Sequence, residues 1–178
     1  DVHLIAGPCN LETPLAATGK ITRTDVVSAK EMHAAALKSS DSDIFFAVAA
    51  VADWGIAKPA KEKIKRQGQK APSIEFIANP DILLDVAKTV KTKGGKPQPY
   101  CVGFAAESTN LEAHADEKRK RKGIPMLVGN LAQHVMDADH TTVSIFDEHG
   151  EHPLPTSAKQ DIARQLVAAI AARLPGKT

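Results

Sequence analysis

Ile44 to Val51 (IFFAVAAV) is an unbroken apolar run closed by Asp53 two residues on. A strand with one wet face alternates polar and apolar residues, so a run without alternation suits a strand buried on both faces of a parallel sheet. Parallel neighbours cannot be joined by tight hairpins and need crossover connections, which helices usually supply.

The rest of the chain offers those crossovers. Val2 to Ala6 reads as a short buried strand followed by the loop GPCNLETP, and Ile21 to Val27 as a second strand. Ser28 and Glu31 form a capping-box pattern that opens a helix running to about Ser39. Residues 53–72 form a polar connection long for a compact domain, a length usually reserved for function. Ser73 to Ala78 alternates like an edge or hairpin strand. Asn79 as N-cap, Pro80 at the first helical position and Asp81 in the first turn then announce another helix. YCVGFAAE (100–107) is a buried strand, Leu111 to Lys122 a helix stopped by Gly123, and Met126 to Asn130 a short strand. TTVSIFD and EHPLP, joined by EHG, read as a terminal hairpin. Ser157 caps a last helix with Ile162, Leu166, Ile170 and Leu174 on one face. The expectation is a single α/β domain over residues 1–178, with a mainly parallel sheet, helices on both faces and a C-terminal hairpin.

With 178 residues, 43% of them hydrophobic and 25% charged, the chain can close a real core. A net charge of only +2 gives no global attraction to nucleic acid or membrane, so electrostatic function must come from local clusters. Cys9 and Cys101 have no paired spacing, which suits a reduced, cytoplasmic compartment. The longest apolar stretch, Ile44 to Ala52, is too short to cross a bilayer, and no signal-peptide pattern precedes it. The chain opens at Asp1 without Met and enters strand sequence at once, as expected for a piece of a longer protein.

In open α/β sheets, ligands bind beyond the carboxyl ends of the strands. Three such ends, AAVADW, VGFAAE and VGN, carry Ala or Gly and finish at Asp53, Glu107 and Asn130. Small residues there allow either close ligand approach or close helix–sheet packing, and the coincidence of three favours a cleft. Two basic clusters accompany them. The first is Lys58, Lys61, Lys63, Lys65, Arg66 and Lys70, opposed only by Glu62; the second is KRKRK, Lys118 to Lys122, where the end of a helix already favours cations. A lysine arm following a strand end can close over a polyphosphate.

Nucleic-acid binding is the competing use of these lysines. With five Phe, one Trp and one Tyr in the chain, neither cluster interleaves aromatics for base stacking. GxGxxG and phosphate-loop motifs are both absent. His149 and His152 flank a turn and read as solvent-facing, while Ser28 and Ser157 read as caps. A positioning and charge-stabilising chemistry on a nucleotide remains, with Mg²⁺ as the usual companion of a polyphosphate.

The order AAVADW…KEKIK, NPDIL, VGFAAE, a helix ending in KRKRK and a strand ending in Asn resembles phosphopantothenoylcysteine synthetase, the ligase part of the bacterial bifunctional (Dfp-type) coenzyme A biosynthesis flavoprotein. LIAGPCNLETP and VVSAKEM fit the same pattern, so the resemblance spans nearly the whole chain. It implies a Rossmann-like fold, a homodimer, and fusion to a flavin-dependent decarboxylase domain in some proteins. It also implies a two-step reaction. CTP (ATP in eukaryotic relatives) activates 4'-phosphopantothenate with a divalent metal, and the amine of L-cysteine then displaces the nucleotide.

Carried over by motif, Ala49 and Ala50 would lie at the acyl-nucleotide mouth with Ala47 just upstream. Asp53 would contact the nucleotide, and Lys63, on a flap over residues 54–72, would act at cysteine coupling. Pro80, Asp81, Ile82 and Leu83 would form a helix-start wall, Phe104 would line the base pocket, and Lys118 with Lys122 would contact phosphates. Three departures stand out. The family's Gly-rich first turn and SNHSSG-like stretch have no counterpart here, so part of the active site is expected to be missing. The family's AND reads GNL, with Leu131 in place of Asp, and Trp54 stands where Tyr is common. The alternatives are a dinucleotide-binding oxidoreductase, disfavoured by the absent glycine fingerprint, and a basic interaction module.

Overall fold

A computed structural model describes residues 1–16, 18–60, 62–65, 73–89, 99–107, 111–131 and 139–174. Of the expected flap, Lys61 and residues 66–72, with Arg66 and Lys70 among them, lie outside the described residues. Contacts divide the chain into two compact units, Asp1–Ser39 with Ala49–Ile82, and Ser40–Val48 with Leu83–Thr178.

In the first unit, β1 (Val2–Ala6) and β2 (Ile21–Asp25) pair in parallel, from Val2 opposite Ile21 to Ala6 opposite Asp25. Helix α1 (Ala29–Lys38) is their crossover neighbour and begins at the expected capping box. The Glu31 amide donates to Ser28 Oγ at 3.2 Å, and Glu31 Oε2 accepts from the Val27 and Ser28 amides at 2.7 and 3.1 Å. Those donors hold the Glu31 carboxyl below its ordinary range. His3 ties the three elements together, with Nδ1 2.9 Å from Ser39 Oγ and Nε2 2.8 Å from Thr24 Oγ1. Because the Ser39 hydroxyl donates to the Ala35 carbonyl, it accepts from His3 Nδ1–H, and Thr24 then donates to Nε2. A second ladder pairs β4 (Trp54–Ile56) with β5 (Phe76–Ala78) antiparallel. The expected hairpin strand is therefore shorter than Ser73–Ala78, and its partner lies inside the stretch read as unstructured connection.

The second unit holds a five-stranded sheet in the order β10-β9-β7-β6-β3. Strands β3 (Ile44–Ala47), β6 (Tyr100–Glu107) and β7 (Met126–Leu131) are parallel. β9 (Ser144–Asp147) runs antiparallel to β7, and the expected hairpin turn leads into β10 (Gly150–Pro153). Helix α2 (Ile82–Lys88) precedes β6, and α3 (Leu111–Lys122) joins β6 to β7. Two short strands, β8 (His140–Thr141) and β11 (Ser157–Ala158), pair ahead of α4 (Lys159–Ala171). Gly123, at φ +63°, ends α3 as expected: its amide donates to Lys120 and that of Ile124 to Arg119, the paired bonds of a Schellman turn.

Each face of the central strands has its own cover. Val102, Met126, Val128, Val143 and Ile145 pack with Ile162, Leu166 and Ile170 of α4. On the other face Leu127 and Phe146 are opposite each other and buried, and Gly103 sits between Leu83 of α2 and Ile124. A Cβ on Gly103 would come within 2.8 Å of Ile124 Cδ1 and 2.9 Å of Leu83 Cδ2. At this position the small residue serves helix–sheet packing.

Three local expectations are corrected. Only Ile44–Ala47 of the apolar run is strand, and it lies at the end of the sheet order, with Phe46 and Val48 exposed rather than buried on both faces. Ser157 does not cap α4; its hydroxyl donates to the Pro155 carbonyl, and the N-cap is Ala158 without a side-chain bond. His152 is not simply solvent-facing: its Nε2 lies 3.0 Å from Asp147 Oδ1. Asp147, whose side chain is 4% exposed, also accepts from the His149 amide at 2.8 Å and from Arg173 Nε at 2.8 Å. Arg173 lies just past α4, so this carboxylate ties the hairpin to the end of the last helix.

Two stability predictions come from these contacts. Gly103→Ala should destabilise by about 1–3 kcal/mol in chemical unfolding, since the Ile124 and Leu83 methyls must both shift to admit the Cβ. Burial alone would raise Asp147, but the bonds from His152, His149 and Arg173 outweigh it and hold the carboxyl at about 2, against an ordinary 3.8. A lowered folded value means stability that is complete above the unfolded value and lost as pH falls towards 2; the contribution is about 2 kcal/mol. Asp147→Asn should remove that share of the acid sensitivity in unfolding measured between about pH 6 and about pH 2. An unchanged acid profile would refute the assignment.

Candidate functional site

The carboxyl ends of β3, β6 and β7 are neighbours in one parallel array, with Ala47 opposite Gly103 and Glu107 opposite Leu131. This is the sheet edge at which an α/β ligand site is expected. Ala105 and Gly129 pair across it, and both are buried. Phe104 is half-buried and packs against the core beneath α4.

Helix α3 carries the second basic cluster, and its charges are not equivalent. Asp116 takes two of them, with Lys120 Nζ at 2.6 Å and Arg119 Nη2 at 3.0 Å. The bond from Lys120, with that from Arg119, outweighs burial and lowers the Asp116 carboxyl. Lys118 and Arg121 instead line an open groove of about 240 Å³ with His114 and Glu117. Lys122, one helical turn beyond Lys118, is half-buried. Arg121 belongs to the basic run Lys118–Lys122 read from the sequence but was not singled out there, because a continuous run does not say which members an acid one turn earlier will pair.

In the first unit the chain leaves Ala49 and Ala50, both exposed, through a tight turn in which the Val51 amide donates to the Ala49 carbonyl. Asp53 follows, with an exposed side chain. Its backbone is held: the Asn79 amide donates to the Asp53 carbonyl at 2.8 Å, and Asn79 Nδ2 to the Ala52 carbonyl at 2.9 Å. Asn79 was expected to cap α2, but that helix starts at Ile82, so Pro80 and Asp81 precede it. Gly55 sits against Asn79, where a Cβ would meet Oδ1 at 2.7 Å. Trp54 and Ile56 share one exposed face of the ladder with Phe76. Lys63 is exposed on the connection between β4 and β5.

One further residue shapes this unit. Arg23 of β2 grips the loop after β1, pairing with Asp25 Oδ1 at 2.7 Å and donating to the Leu11 carbonyl at 2.6 Å and to Cys9 Sγ at 3.6 Å. No sequence signal marked it, because two of its partners, Cys9 and Leu11, lie in the irregular loop between β1 and β2. In the second unit, burial pushes the Cys101 thiol up to about 11, so it is no thiolate nucleophile at neutral pH. Among the described residues no group of three His, Cys, Asp or Glu side chains is placed to hold a metal ion. No helix among them is long and apolar enough to cross a membrane.

Comparison with known proteins bears on the whole of this arrangement. The family model described as the DNA/pantothenate metabolism flavoprotein C-terminal domain matches residues 1–174. The Coenzyme A biosynthesis bifunctional protein CoaBC of Haemophilus influenzae is 39% identical over 176 residues, covering 97% of this chain and 42% of that protein. The protein of the same name from Escherichia coli is 35% identical over 183 residues, covering 99% of this chain and 43% of that protein. The chain thus spans about two fifths of the curated relatives it matches. Among solved structures, the C-terminal domain of a CoaBC protein superposes with a TM-score of 0.75 at 27% identity, over 97% of this chain and 74% of that one. A DNA/pantothenate metabolism flavoprotein from Streptococcus pneumoniae shares the fold, with a TM-score of 0.76 at 15% identity over 97% of this chain and 81% of that one. The Rossmann-like α/β architecture and the family resemblance read from the motifs are both borne out, and the chain belongs to the DNA/pantothenate metabolism flavoprotein C-terminal domain family.

Proposed function

We propose that this chain is the amide-forming ligase of coenzyme A biosynthesis, joining 4'-phosphopantothenate to L-cysteine through an acyl-cytidylate made from CTP. The observation that carries the reading is the match to bifunctional coenzyme A biosynthesis proteins over 97% of the chain. The exposed carboxylate of Asp53 on a fixed turn and the open Lys118–Arg121 groove support it.

In the first step a carboxylate oxygen of phosphopantothenate attacks the α-phosphorus of CTP. A P–O bond forms, the bridging P–O bond breaks, and pyrophosphate leaves. In the second, the cysteine amine attacks the acyl carbon; a C–N bond forms, the C–O bond to phosphorus breaks, and CMP leaves as the amine gives up a proton. Mg²⁺ would arrive as part of the Mg·CTP substrate, offsetting part of the triphosphate charge, and such ions keep few protein ligands.

Within this reading Ala47, Ala49 and Ala50 leave room for the acyl-nucleotide, and Asp53 contacts the nucleotide. Pro80, Asp81, Ile82 and Leu83 form its wall, Phe104 flanks the base, and Lys118 with Lys122 meets the phosphates. Leu83 contributes through its backbone, since its side chain packs over Gly103. Lys63 stabilises charge during cysteine coupling as a mobile point charge. A homodimer and fusion to a flavin-dependent decarboxylase domain belong to the same proposal. The nucleic-acid reading loses support from the pairing of Arg119 and Lys120 with Asp116.

Calorimetry of the full-length protein with Mg·CTP, NADPH and a short DNA duplex should give binding to CTP alone. Tight, salt-sensitive DNA binding or NADPH binding without CTP affinity would overturn the ligase reading. Lys63→Gln should keep CTP-dependent pyrophosphate release within about threefold while slowing amide formation at least about a hundredfold. Equal loss of both half-reactions would remove Lys63 from the coupling step.

A further inference from the structure

Asn79 spends its side chain in an unexpected place. A helix N-cap turns its side-chain oxygen onto the first amides of its own helix. Here the amide nitrogen donates instead to Ala52, 27 residues earlier in sequence, while the Asn79 backbone amide donates to the very next carbonyl, that of Asp53. One residue therefore grips two successive carbonyls. The ladder continues from the same point, with Trp54 opposite Ala78 and Gly55 opposite Ile77. The remaining atom of the amide, Oδ1, lies against Gly55, where no Cβ could stand. The backbone of Asp53 is thus fixed before, at and after the residue, while its carboxylate, without a partner among the described residues, stays exposed.

We infer that Asn79 is a positioning residue for the Asp53 carboxylate, holding it in the direction in which it meets its ligand. This rests on the nucleotide reading proposed above. A carboxylate on a free loop would lose rotational freedom on binding, whereas one on a clamped turn has lost most of it at folding. The clamp accounts for the pairing of a bare glycine at 55 with an asparagine at 79. Aspartate in place of Asn79 has the same shape but no donor, and it sets a charge against the Ala52 carbonyl.

The test uses three variants of the full-length protein, Asn79→Asp, Asp53→Ala and the double variant, with two readouts. Mg·CTP affinity is measured by calorimetry, and time-resolved anisotropy is measured on Trp54, next to Asp53 and the one tryptophan of residues 1–178, in a background where any tryptophan outside them is replaced by phenylalanine. Asn79→Asp should weaken CTP about tenfold and speed local motion of Trp54. If Asn79 acts through Asp53, the double variant should bind no more weakly than Asp53→Ala alone. Additive losses would overturn the inference, as would unchanged Trp54 motion. Should Asn79→Asp fail to fold, Gly55→Ala keeps the donor but displaces Oδ1, and should move both readouts in the same direction by a smaller factor. If the unaltered protein binds no CTP, the nucleotide reading falls, and the Trp54 comparison still decides whether Asn79 orders the turn.

Discussion

Two parallel strands with water on neither side have nowhere to put a polar or bulky residue without a partner. That constraint on β6 and β7 organises the larger unit. One face is closed by the Ile162, Leu166 and Ile170 stripe of α4, the other by Leu83 and Ile124. The thinness of the sandwich at Gly103 is the cost of bringing a helix that close. The buried charge in this unit, Asp147, sits where the hairpin meets the end of α4, and it is tolerated because three donors surround it. Outside the packed region, Ala106 near the carboxyl end of β6 and Lys120 and Arg121 of α3 are exposed.

Local signals were the legible ones. Ser28 and Glu31 are three residues apart and form the capping box the pattern promised. Gly123 ended its helix, and Glu148–Gly150 turned its hairpin. Each of these depends on neighbours within a few residues. The failures have the opposite character. Asn79 and Ser157 both carry cap chemistry, but each found a carbonyl outside its helix to satisfy its donor. The Ile44–Val51 run reads as doubly buried, yet its strand is short and stands at the end of the sheet order. Hydropathy counts apolar residues; it does not say how many neighbours a strand has.

The candidate site divides in the same way. Asp53 could be picked out because a polar residue closes an apolar run, and the exposed carboxylate is where that boundary put it. Its clamp was invisible, since the bond spans 27 residues. The lysine-rich end of α3 was visible as charge, but Asp116 decides which cations are spent within the helix. Of the small residues at the strand ends, Gly103 serves packing, while Ala49 and Ala50 are exposed.

The chain holds one tryptophan and one tyrosine. Trp54 belongs to the smaller unit and Tyr100 to the larger, where burial raises its hydroxyl above the ordinary range. Each unit therefore carries its own chromophore. A denaturation curve recorded at two wavelengths separates into two histories, one for the unit that displays Asp53 and one for the unit built on β6 and β7. Whether those histories coincide is a direct measure of how cooperatively the chain melts.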